Sequence, residues 1–121
     1  MISRVHFALI LSSCLGAGAA MAQQASEAPG AVLRGLDTVS GITTDLTVRN
    51  GETVEYGRLT VTVSDCRFPQ DNPAADAFAH VTVRDVNDGA VFDGWMIASS
   101  PALSALDHPR YDVWVMHCIS E

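Results

Sequence analysis

Lysine is missing from the chain altogether, and beyond residue 22 six arginines stand against 14 carboxylates, a balance of −8. A domain this acidic with no basic cluster is a poor match for nucleic acid or for an anionic membrane surface, because both select a cationic footprint. Other absences narrow the field further. The cysteines have no C-x-x-C spacing, which removes a usual device for lowering a thiol pKa for redox work. No G-x-S-x-G elbow is present to expose a serine nucleophile. No apolar stretch reaches the roughly 20 strongly apolar residues of a membrane span. No internal repeat is visible, and no segment outside 100–107 reads convincingly as a helix.

What is present begins with a targeting segment. Arg4 supplies a positive start, Val5–Leu15 is apolar apart from His6 and Ser12-Ser13, and Ala20-Met21-Ala22 is a small-x-small cleavage site. Residues 1–22 therefore read as a signal peptide and the mature chain as periplasmic. Leu11-Ser12-Ser13-Cys14 also fits a lipobox, with Cys14 as the lipidated residue, but that leaves a signal of only 13 residues. Residues 23–31 (QQASEAPGA) are small and polar and read as a flexible leader. The remaining 32–119 make one domain, small enough to need a staple.

Cleavage leaves Cys66 and Cys118, an even pair in an exported chain, and a disulfide between them is expected. Closing a loop of about 50 residues contributes roughly 4 kcal/mol on the chain-entropy model.

The body reads as strands. Ala31–Asp37 and Ile42–Val48 flank a turn at Val39-Ser40-Gly41, and Asn50-Gly51 carries a strong hairpin signal leading into Glu52–Tyr56. Gly57 marks a turn or bulge. Arg58–Cys66 alternates with Leu59, Val61 and Val63 inward. Phe68–Asp76 holds two prolines and reads as an exposed loop. Ala77–Val86 sets Ala79, Val81 and Val83 against Phe78, His80, Thr82 and Arg84, and Asn87-Asp88-Gly89 turns it into Val91–Ala98. Short strands near ten-residue spacing, with a turn signal at most junctions, predict an all-β fold. The form expected is a small antiparallel β-sandwich or barrel with one short helix at about 100–107.

The richest stretch runs from Gly94 to Cys118. Ser100-Pro101 starts the short helix, with Leu103 and Leu106 on one face and His108-Pro109 as its stop. Tyr111–Cys118 then alternates, with Tyr111, Val113, Val115 and His117 facing one way and Asp112, Trp114, Met116 and Cys118 the other. Trp95 and Trp114 fall on strands expected to be near neighbours. Core packing is the plain reading of both. If the Trp114/Met116 face is exposed it is an interface anchor, because tryptophan and methionine are enriched at such sites, with Phe68 and Asp71 of the Phe68–Asp76 loop as a second contact region.

Catalysis and metal binding find less support in the residues. Ser99, Ser100 and Ser104 lie near Asp107 and His108 in sequence, but Ser100 already has a role as helix cap. Asp107 and Asp112 read as solvated or paired with Arg110. His80, His117, Cys66, Cys118, Met96 and Met116 are the soft ligands of a copper site, yet adjacent His117 and Cys118 point to opposite faces of a strand and a disulfide consumes the thiolates. No catalytic residue, metal or cofactor is assigned, and the reading is a non-enzyme.

Four segments together resemble a known family: L-R-G-L-D-x-V-S-G at 33–41, N-G-E-T-V at 50–54, the G-R-L-T-V-T-V-x-x-C run at 57–66, and G-W-M-I-A-S-S-P-A-L-S-A-L-D-H-P-R-Y-D-V-W-V at 94–115. It is an uncharacterised domain-of-unknown-function family (number 2155) of small exported alphaproteobacterial proteins. The resemblance brings no activity and no catalytic residue. It implies a context, since such genes tend to sit beside one for an accessory subunit of respiratory complex I. The expected function is protein–protein contact as an accessory subunit or assembly factor of an inner-membrane respiratory complex, NADH:quinone oxidoreductase being the candidate. The alternatives are a free periplasmic module for an envelope glycan or peptide, and a small metal-binding protein. Neither nucleic acid nor direct membrane insertion is expected.

Overall fold

A computed structural model describes residues 25–70, 72–104 and 106–120. The expected signal segment, Cys14 and Asp71 lie outside the described residues. Eight strands follow in order: β1 (Ala25–Ala28), β2 (Gly30–Asp37), β3 (Thr43–Arg49), β4 (Thr53–Tyr56), β5 (Leu59–Pro69), β6 (Phe78–Asp85), β7 (Gly89–Ile97) and β8 (Tyr111–Cys118). All pairings are antiparallel. One sheet orders β5-β6-β7, with β1 and β4 sharing the far edge of β5, and the other orders β3-β2-β8. The two pack face to face. Leu33, Val48, Val113 and Val115 meet Leu59, Val61, Val63, Val81, Val83 and Met96, all nearly or fully buried. Each such side chain contributes about 1.5–3 kcal/mol when removed from water. The predicted all-β antiparallel sandwich is what the chain forms.

Two bulges decide where the cysteines go. In β5, Val63 pairs with Val81 and Asp65 with His80, so Ser64 is an extra residue. In β8, Val115 lies opposite Leu33 and His117 opposite Val32, so Met116 is extra. Strict alternation from Leu59 and from Tyr111 would turn Asp65 and His117 inward and both cysteines outward. The insertions shift each strand by one residue, so Cys66 and Cys118 are buried and bridge the two sheets across 52 residues. The expected facing of β8 is corrected accordingly: it holds to Val115, after which His117 is exposed and Cys118 joins the core face.

Three further expectations change. Residues 25–28 of the supposed flexible leader form β1, because their backbone pairs with the extended end of β5 and Ala28 and Ala31 are buried. Phe68 and Pro69, read as loop, belong to β5 for the same reason. Asn50-Gly51 does not close a hairpin but carries the chain from β3 in one sheet to β4 in the other. Gly51 has φ of +84° while Asn50 stays negative, and Glu52 N–H bonds the Arg49 carbonyl. That is a type II pattern, whereas a two-residue type I′ hairpin needs both central residues at positive φ. The true tight hairpin is β4–β5, where Gly57 at φ +57° precedes Arg58 in the manner of a type II′ turn.

The helical segment is shorter than expected, a 3-10 turn at Pro101–Ser104. Leu103 is exposed, so no apolar face exists to extend it, while Leu106 alone turns inward. Ser104 Oγ donates to the Trp95 carbonyl at 2.6 Å. The turn thereby covers part of the outer edge of β7, a position where an unpaired strand invites aggregation.

Candidate functional site

At the end of the sandwich where β5 runs on past β6, a cleft of about 630 Å3 opens between β1 and the chain that follows β8. Phe68, Met116, Pro29, Pro73 and Ile119 form most of its wall, and Glu27 and His117 stand at its polar positions. Local structure explains each part. Phe68 reaches the cleft because β5 continues to Pro69 beside β1. Met116 is there because it is the bulged residue of β8. Cys118, one half of the disulfide, also lines the cleft. His117 Nδ1 lies 3.0 Å from the Cys118 carbonyl, the geometry of a ring N–H donated to its neighbour's backbone.

The cleft continues onto the outer face of the larger sheet through charge. The Glu27 carboxylate lies 3.8 Å from Arg67, and the Arg67 guanidinium approaches the Trp95 ring at 5.9 Å from its centroid. Trp95 is 45% exposed and stands on the outer face of β7. His80 sits edge-on to it at 5.3 Å. Asp65 holds Arg67 at 2.9 Å, Ser64 Oγ lies 2.7 Å from His80 Nδ1, and Thr82 Oγ1 donates to Asp93 at 3.1 Å. Phe78 and Ile97, paired across β6 and β7, share this face.

Of the residues singled out from sequence, Phe68 and Met116 meet in the cleft and Trp95 adjoins it. Trp114 does not join them. It lies on the outer face of the other sheet, beside Arg34, which is held by Asp45 at 2.8 Å. The expectation that the two tryptophans sit on neighbouring strands is corrected, because β7 and β8 belong to different sheets. Arg67, His80 and Asp93 were not singled out as contact residues. The outward positions of the alternating 78–84 run are the one signal that could have pointed to His80.

The groups weighed for catalysis go elsewhere. Ser99 donates both its N–H and its hydroxyl to Asp76, and Ser104 is bound to the Trp95 carbonyl. His108 is turned into the interior, its side chain 1% exposed, with Nε2 2.7 Å from the fully buried Asp85 carboxylate. Its Nδ1 accepts the amides of Arg110 and Tyr111 at 3.1 Å each. Both ring nitrogens are therefore engaged, and the imidazole offers no lone pair to a substrate. Asp85 is held below the ordinary carboxylate range, first by the Asn87 amide and then by His108. Arg110 pairs with Asp37 at 3.1 Å and keeps Asp37 low, while Asp107 and Asp112 are exposed, the solvated one of the two alternatives expected for them.

Cys66 and Cys118 are joined, Met96 is buried, and His80 and His117 lie on different sheets. Among the described residues no group of three His, Cys, Asp or Glu side chains is placed to hold a metal ion. No described helix is long and apolar enough to cross a membrane.

Residues 31–118, which span β2 to β8, match the model of a family described as "Uncharacterized protein conserved in bacteria (DUF2155)". A curated relative, Uncharacterized protein RP359 of Rickettsia prowazekii, is 24% identical over 87 residues, 69% of this chain. The chain covers only 56% of that relative's length. No solved structure matches. Matched over nearly the whole sandwich, the chain belongs to the DUF2155 family of uncharacterized bacterial proteins.

Proposed function

We propose that the protein works without catalysis, by binding another protein through the surface that joins the cleft to Trp95. The observation that carries this reading is the continuity of Phe68 and Met116 in the cleft with the exposed Trp95, linked by Glu27 and Arg67. Aromatic, methionine and arginine side chains together are the composition of interface cores. The targeting segment supports a periplasmic location, and the disulfide suits an oxidising compartment. The family context favours an inner-membrane respiratory complex as the partner, NADH:quinone oxidoreductase first, with this chain as accessory subunit or assembly factor.

The test is a C-terminal tag and native electrophoresis of detergent-solubilised membranes. The tagged chain should comigrate with NADH:quinone oxidoreductase activity, and Met116→Ala combined with Phe68→Ala should release it. A chain that migrates alone in the periplasmic fraction would falsify the subunit reading. A second reading, a free periplasmic module for an envelope glycan or peptide, draws on the cleft itself, whose volume falls within the range of small-ligand sites. Solute-induced stabilisation of a solitary chain would select it.

A further inference from the structure

We infer that the Trp95 face receives an arginine or lysine side chain of a partner protein, a reading that rests on the protein-contact function proposed above. The two side chains against the indole, Arg67 and His80, are themselves met by three carboxylates, Glu27 and Asp65 at Arg67 and Asp93 at His80. Glu27 and Asp65 both reach toward Arg67. Asp93 is different. It is 66% exposed, two residues before Trp95 on the same outward side of β7, and has the Thr82 hydroxyl and a 3.7 Å approach to His80 as its neighbours. Its oxygens keep lone pairs directed to solvent beside the indole. An aromatic face and a carboxylate side by side attract a cation through the ring quadrupole and through charge. The chain already shows the first half of that arrangement in Arg67, 5.9 Å from the ring centroid. It has no lysine to supply the second half, and its balance beyond residue 22 is −8.

The experiment titrates the oxidised, 15N-labelled protein with a capped Gly-Arg-Gly-Arg-Gly peptide and with its glutamine-for-arginine twin. The arginine peptide should shift the Trp95 indole N–H and the Asp65 and Asp93 amides, leave the Trp114 indole unmoved, and weaken with added salt. Trp95→Ala and Asp93→Asn should each reduce affinity roughly two- to fivefold. Both sites lie outside the core, and the near-isosteric Asp93→Asn carries the test alone if Trp95→Ala unfolds. Equal shifts from the glutamine twin, or unchanged affinity in Asp93→Asn, overturn the inference. So does a cello-oligosaccharide that moves the same indole where the arginine peptide does not. If the peptide fails while the tagged chain still comigrates with the respiratory complex, this inference falls and the proposed function stands. If the peptide binds and no complex comigrates, the reverse holds.

Discussion

His108 and Asp85 are the pair in which single side chains matter most. A hydrogen-bonded imidazole and carboxylate, both withdrawn from water, tie the connection before β8 to the end of β6. Because Asp85 binds its proton less readily folded than unfolded, it contributes stability above its unfolded pKa of about 3.9, and that contribution disappears as pH falls through the lower folded value. Asp37 and Asp45, lowered by Arg110 and Arg34, act with the same sign. The urea midpoint should therefore drop below about pH 4. Asp85→Asn should lower the midpoint at pH 7 and shrink the acid drop, both read from urea melts across pH. A second residue-scale prediction concerns Gly35, where an added Cβ would stand 2.6 Å from the Tyr56 ring. Gly35→Ala should cost about 1–3 kcal/mol, measured as a fall in denaturation midpoint, because the ring is wedged between the sheets.

Among elements, β5 and β8 matter most, since each carries an extra residue ahead of its inward cysteine. Deleting Met116 should remove the bulge yet keep Cys118 on the inner face, because plain alternation from Val115 then sets His117 outward and Cys118 inward, so neither Cys66 nor Cys118 should become a titratable thiol. A thiol count in denaturant checks it. The deletion also marks the limit of what the residues disclose. The period-two pattern of 59–63, 79–83 and 111–115 identifies strands and their inner faces directly, since burial selects alternate positions. Nothing in Ser64 or Met116 announces an insertion, because a bulge is defined by the partner strand. Asn50-Gly51 misleads for a related reason. The pair favours a turn, but the two flanking strands take partners elsewhere, and only those partners decide between a hairpin and a change of sheet. His108 and Asp85, 23 residues apart, look from the chain like a helix stop and the end of a strand. Trp95 was legible as a candidate anchor, while the charges around it come from β1, β5 and β7 and meet only in the fold.

For the molecule as a whole, the Cys66–Cys118 bond is the largest single contribution to stability that can be named. Replacing both cysteines by alanine should cost about 4 kcal/mol for a loop of this length. That corresponds to a Tm lower by roughly 15–30 °C in a domain of this size, measurable by calorimetry with and without reductant. The bond also has company. Asn50 donates its side-chain amide to the Ala28 carbonyl and its backbone N–H to that of Pro29, so two of the three places where the described chain changes sheets hold one another, close to the disulfide. The two leaves of the sandwich are thus bound along one corner, like pages at a spine. Any breathing of the domain has to start from the opposite margin, where noncovalent clasps such as His108–Asp85 and the Tyr56–Tyr111 ring pair keep the book shut.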